Sequence, residues 1–238
     1  AFVWAQKILE DVGAMVDALS GGQREPQGTL RLCTSLRLGR EHIAPILSLL
    51  RRQYPALEVW VELLDRRVDL IADNFDIDIR VGEVQEKHLI AHRIAESTRV
   101  LAAAPDYLAR RGTPKVAADL AQHDCLLFRS RDDRFGVWRL LGPNGAETVK
   151  VTGPMASNHS DIVRQWAHDG HGIIMASRWD VAGSLASGAL IQVLPAWHQP
   201  ADIWAVTAVR SSHSAKVRAC VAFLREQLAS GPYSLSGS

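Results

Sequence analysis

Cysteine is scarce in this chain of 238 residues: only Cys33, Cys125 and Cys220, odd in number, far apart and without a CxxC spacing. That pattern excludes a disulfide scaffold and a zinc ribbon, and it points to a reducing cytoplasm. No stretch reaches the ~18 apolar residues of a membrane span, and no basic segment followed by an apolar core marks the N-terminus as a secretory signal. Excess charge is missing too. Twenty-seven basic against twenty-six acidic residues leave a net charge of +1, without the basic balance that a nucleic-acid surface requires. The sequence also lacks GxSxG, HExxH, GxxxxGK[ST] and a GxGxxG after a strand, so no motif supports an enzyme, and no cofactor is expected.

What is present is an ordinary globular composition, 47% hydrophobic and 22% charged, at a length that suits two lobes with separate cores. Because residue 1 is alanine, the chain reads as beginning partway into a longer protein. Its first segment, "AFVWAQKILEDVGAMVDALSGG", places Ala5, Leu9, Val12, Val16 and Leu19 at alternating steps of four and three. This is either a coiled-coil seam or a helix lying on its own domain. "GGQREPQG" follows as a linker.

From Gly28 the pattern alternates: strand 29–35, helix 40–55, strand 57–63, a short helix over "DRRVDLIADN" (65–74), and a third strand, "FDIDIRV". Strand–helix alternation predicts a mostly parallel sheet with right-handed crossovers, whose ligands bind beyond the carboxyl ends of the strands. "RVLAAAPDYLARRGTP" opens a second lobe with a strand and a proline-started helix. It continues through helix and strand in "VAADLAQHDCLLFR", a hairpin with Pro-Asn-Gly at its tip, helix 160–169, strand 172–176, helix 177–187 and strand 189–194. Strand 202–209 and helix 214–228 close the pattern, and the tail 231–238 is expected to be disordered.

These strings, taken in order, resemble the effector-binding region of the LysR-type transcriptional regulators from about Gln27 to Ser230. Those that carry the resemblance include "GTLRLCTSLRLGREHIAPIL", "QYPALEVWVEL", "DLIADNFDIDIRVG", "DLAQHDCLLFR", "GHGIIMASRWDV" and "KVRACVAFLREQL". The resemblance implies an α/β, periplasmic-binding-protein-like (type II) fold of two lobes joined by two crossing strands, with a small-molecule effector in the interlobe cleft. It divides the chain into the end of a dimerising linker helix (1–20), a linker (21–27), lobe I (28–93 and 198–230) and lobe II (94–197). It further implies a homodimer or homotetramer, and promoter DNA contacted only through an N-terminal winged helix-turn-helix outside this chain. A free-standing solute-binding protein of the same fold is the alternative.

Candidate effector contacts follow. Thr34, Ser35, Leu36 and Arg37 lie where a strand gives way to a helix, and the dipole and open N–H groups there favour an organic anion. In the family the position of Ser35 often contacts effector, although the serine could instead satisfy the local backbone. On the third strand Asp76, Asp78 and Arg80 share one face before Gly82; Arg80 either meets a ligand or neutralises the two aspartates. Asp65 and Arg66, at the expected helix start, are further candidates. In the second lobe Phe128 and Arg129 end a strand, and Asn158 and His159 belong to a turn that either contacts ligand or caps the following helix. His168 and His171 flank a helix end without a third ligand, and His123 with Cys125 lacks a third group, so neither metal site nor nucleophile is expected.

Overall fold

The computed structural model describes residues 25–66, 68–129, 135–209 and 211–235. The expected seam from Ala5 to Leu19 lies outside the described residues. Two compact units emerge, one built from residues 25–64, 68–95 and 203–234 and the other from residues 65–66, 96–202 and 235.

In the first unit β1 (Gly28–Thr34) leads through Leu36–Leu38, a π-helical Gly39–Ile43 and Ala44–Gln53, which run on as one helix, α1. Then come β2 (Leu57–Leu63), β3 (Ile77–Val81) and β4 (Leu89–Ala95). The second unit holds β5 (Thr98–Ala103), α2 (Pro105–Arg111), a 3-10 turn (Ala117–Gln122) and β6 (Cys125–Phe128), followed by β7 (Val137–Gly142) and β8 (Gly145–Lys150). It continues with β9 (Ala156–Ser157), α3 (Ser160–His168), β10 (Ile173–Ser177), α4 (Arg178–Ala186), β11 (Ile191–Val193) and β12 (Gln199–Pro200). β13 (Ile203–Ala208) and α5 (Ala215–Ser230) return the chain to the first unit.

The first sheet has the order β2-β1-β3-β13-β4, with β13 alone reversed. In the second, of order β11-β5-β10-β6-β9, β5 is the strand that runs against its neighbours. Alternation of side chains gives this second sheet two apolar faces. Leu101, Ala103, Cys125, Leu127 and Ile173 pack on one side with Tyr107, Trp138 and Trp197, while Val100, Ala102, Leu126 and Ile174 pack on the other with Val163, Ala167 and Val181. In the first unit Leu30, Leu32, Ile77 and Ile79 are at most 1% exposed, and burial of each such side chain contributes about 1.5–3 kcal/mol.

The helix expected over 65–74 does not form. Asp65 and Arg66 lie in a bend, and turns occupy residues 70–74. The cause is local: Asp69 Oδ1 accepts from the amides of Ile71 and Ala72 at 2.9 and 3.0 Å, and Asp73 Oδ2 accepts from the Asp69 amide at 3.2 Å. These side chains compete for the amides a helix would use, and Asn74, at φ 58°, ends the turn. Conversely, 89–95 forms a strand that the sequence pattern did not announce, and α1 starts four residues before the expected Arg40. Of the tail, residues 231–235 are described, and the Tyr233 carbonyl lies 3.0 Å from His42 Nδ1.

Candidate functional site

At the carboxyl end of β1, Thr34 stands in register with Leu63 of β2 and Ile79 of β3 and is fully buried. Its Oγ1 has no hydrogen-bond partner. Ser35 is the N-cap of α1, at φ −69° and ψ 153°, yet its hydroxyl makes no cap bond; its carbonyl accepts the Gly39 amide at 2.9 Å. The capping alternative for Ser35 is therefore not the geometry observed. Gly39 lets the helix start this close, because a Cβ there would lie 2.3 Å from Leu63 Cδ2 and 2.8 Å from Thr34 Cγ2. Arg37 does not point a lone charge outward: its Nη1 meets Glu41 Oε1 at 3.1 Å. The π-helical turn at Gly39–Ile43 follows directly, a distortion often found at functional positions.

The charged strand resolves into two internal arrangements. Asp76 Oδ2 accepts from the Arg31 amide and from Lys216 Nζ of α5, each at 2.9 Å. Arg80, 7% exposed, places Nε 2.7 Å from Asp78 Oδ2 and Nη1 2.7 Å from Glu86 Oε1. Burial works against the Arg80 charge, but the hydrogen bonds and charges of Glu86 and Asp78 outweigh it and hold its pKa above the ordinary arginine value. For Glu86, burial alone would raise the pKa. The bond from Arg80, together with those from the backbone amides of Glu86 and Gln85, prevails and holds the carboxyl below its usual range. Thus Arg80 neutralises Asp78 but not Asp76, and its second partner, Glu86, lies on the connection to β4. Gly82 opens that connection at φ 101°, a conformation that favours glycine.

In the second unit Phe128 is in register with Ser157, and the Arg129 amide donates to the Ser157 carbonyl at 2.8 Å. Asn158 and Arg129 are exposed. His159 is the N-cap of α3 but makes no side-chain cap bond; its amide donates to Ser157 Oγ at 3.0 Å, and its buried Nδ1 has no partner. Ser160 lies inside the first turn rather than at the cap. Phe128, Arg129, Asn158 and His159 are therefore gathered at one strand edge, as are Thr34, Ser35, Arg80 and Gly82 in the first unit. Asp65 and Arg66 follow β2 in a bend, away from any helix start.

Two groups at the second edge escaped sequence reasoning. Arg99, 9% exposed, faces Ser177 in register and donates from Nη1 to Gln199 Oε1 at 2.8 Å; Ser177 precedes α4 without a cap bond. Reversal of β5 brings its amino end beside the carboxyl end of β10, and no local signal announces that pairing.

His168, His123 and Cys125 have structural partners, the Cys125 thiol donating to the Leu120 carbonyl. His168 Nε2 lies 3.0 Å from Ser184 Oγ, and Gly170 at φ 75° makes the expected helix end. His123 Nδ1 lies 3.1 Å from Tyr107 OH, while burial pushes the Cys125 thiol up to about 12. Among the described residues no cluster of three or more His, Cys, Asp or Glu could hold a metal ion, and no helix is long and apolar enough to cross a membrane.

The family model for the LysR substrate binding domain matches residues 23–229. The HTH-type transcriptional regulator DmlR of Escherichia coli is 47% identical over 228 residues, which cover 96% of this chain and 74% of that protein. The HTH-type transcriptional activator TtdR of the same species is 42% identical over 220 residues, covering 92% and 71%. The solved structure of CrgA, a LysR-type regulator of Neisseria meningitidis, superimposes with a TM-score of 0.73 at 27% identity, covering 96% of this chain and 78% of that one. With a type II periplasmic-binding-protein-like fold and these relatives, the chain belongs to the LysR-type transcriptional regulators and carries their effector-sensing domain.

Proposed function

We propose that the effector sensed by this domain is a small organic anion held at the carboxyl end of β1. The observation that carries the reading is Ser35: it occupies the N-cap of α1 with its hydroxyl unused for capping, directly after a buried Thr34 whose Oγ1 has no partner. The first amides of the helix and the positive end of its dipole lie at the same place, where a carboxylate or phosphate is stabilised. Thr34, Ser35, Leu36, Arg37, Arg80 and Gly82 are the proposed contacts of the first unit, and Asp65 and Arg66, just after β2, are proposed outer contacts. Phe128, Arg129, Asn158 and His159 are those of the second.

An effector that binds one arrangement of the protein better than another shifts the population toward it. In this reading that shift is relayed through a homodimer or homotetramer, in the cytoplasm, to DNA-binding segments acting at a promoter. The apolar positions Leu9, Val12 and Val16 are proposed to pack against a second copy. A thermal-shift screen tests the effector class: small carboxylates and phosphates raise the melting temperature of the parent protein, as a ligand that prefers the native state does, and a Ser35→Trp variant loses the gain. Hits confined to neutral or cationic compounds overturn the reading.

A further inference from the structure

Arg80 is held by two carboxylates of unequal standing. The Asp78 side chain is 0% exposed, inside β3, and meets Nε at 2.7 Å. The Glu86 side chain is 29% exposed, outside any strand, and meets Nη1 at 2.7 Å. Glu86 belongs to the 82–88 connection between β3 and β4, which starts from the positive-φ Gly82 and ends where the Leu89 amide donates to the Glu86 carbonyl at 3.2 Å. Two neighbours define the place. Arg80 is in register with Trp204 of β13, and the residue before it, Ile79, is in register with Thr34 at the end of β1.

If Glu86 moves away, Arg80 keeps Asp78, so the buried guanidinium is never left without a counter-charge, which is the costly outcome. What is exposed by the movement is one N–H arm of a planar fork already fixed in position, suited to another carboxylate. Asp78 is fully buried within β3, so breaking its pair would take a carboxylate out of the interior, whereas Glu86 already borders solvent. The exchangeable partner is therefore Glu86.

We propose that Glu86 is an internal stand-in for a ligand carboxylate: a carboxylate-bearing small molecule takes its place on Arg80 Nη1, and the 82–88 connection is released as it does so. This rests on the anion reading above and adds the group that is displaced and the segment that moves. A carboxylate tethered six residues from its partner acts at an effective concentration on the order of millimolar. A simple carboxylate such as acetate therefore wins the exchange only well above that concentration, and an effector that makes further contacts, such as at Ser35, wins it at lower ones.

The test uses acetate as the probe at constant ionic strength, titrated into the parent, Glu86→Gln and Glu86→Ser, with hydrogen exchange of the 83–88 amides followed by mass spectrometry. Both variants are expected to bind acetate at least about tenfold more tightly than the parent, since the internal competitor is gone. In the parent, saturating acetate speeds exchange at 83–88; in the variants those amides exchange fast without it, and acetate changes nothing there. Equal acetate affinity in all three proteins, or slower exchange at 83–88 in the acetate-bound parent, overturns the displacement while leaving the anion reading standing. Absence of acetate binding in all three overturns the displacement, and a failed carboxylate and phosphate screen of the parent separately removes the anion reading.

Discussion

The two sheets are alike in plan, each mostly parallel with one strand reversed, β13 in the first unit and β5 in the second, yet their carboxyl edges are finished differently. The first edge carries buried charge that is satisfied internally: Asp78, Arg80 and Glu86 form one group. At the second edge Arg129 and Asn158 are exposed, and the ring of His159 leaves Nδ1 without a partner. The first edge is thus preorganised by its own counter-ions, so a substitution there is felt by the fold. At the second edge the buried Arg99 is likewise held, by Gln199, but Arg129 and Asn158 are exposed groups whose loss the fold is expected to tolerate.

The largest expected break in this contrast comes from Asp78→Ala. It leaves the guanidinium of Arg80 buried beside a half-exposed Glu86 and is expected to cost about 3–5 kcal/mol in denaturant unfolding. Arg129→Ala, on the exposed edge of the second unit, is expected to change stability by about 0.5 kcal/mol or less. A comparable loss from both variants would erase the distinction between the edges.

A smaller effect is expected from acid. The Glu86 carboxyl has a folded pKa below its unfolded value, so its pairing with Arg80 stabilises the fold fully above the ordinary glutamate range. That contribution is lost as pH falls through the depressed folded value. Urea midpoints measured from neutral pH to below that range should fall more steeply for the parent than for Glu86→Gln, which has no carboxyl to protonate. Parallel curves would show that the pair contributes nothing to folding.

How far the sequence disclosed these edges depends on the distance over which each partner acts. The Arg80–Asp78 pair was legible because i and i+2 share a strand face. Glu86 was not, since a connection has no period from which to read its direction, and Lys216 lies 140 positions from the Asp76 that it meets. The turn at 70–74 was misread as helix because its apolar spacing suits one, while the decisive contacts are side-chain carboxylates of Asp69 and Asp73 taking backbone amides. Arg99 and Ser177 come together only through the reversal of β5, a property of the pairing and of no single segment. Apart from β4 and the turn at 70–74, most of the element order was readable, as was the strand-to-helix position of Ser35, because these follow from local pattern.

The smallest expected effect is on stability at Ser35 itself. A helix that uses its N-cap hydroxyl loses about 1 kcal/mol when the residue becomes alanine. Ser35 makes no cap bond, so Ser35→Ala should shift the unfolding midpoint of the ligand-free protein by less than half of that. Asn158→Ala, at an exposed bend, should behave the same way. A full capping loss at Ser35 would return it to a structural role.

The most direct test of an anion site at the carboxyl end of β1 is backbone amide NMR of the labelled protein, titrated with a carboxylate that stabilises it. The account predicts the largest shift changes at Ser35, Leu36, Arg37 and Gly82, saturating with the same affinity as the thermal stabilisation. Saturable changes confined to other strands and helices, with those four amides unmoved, would contradict it.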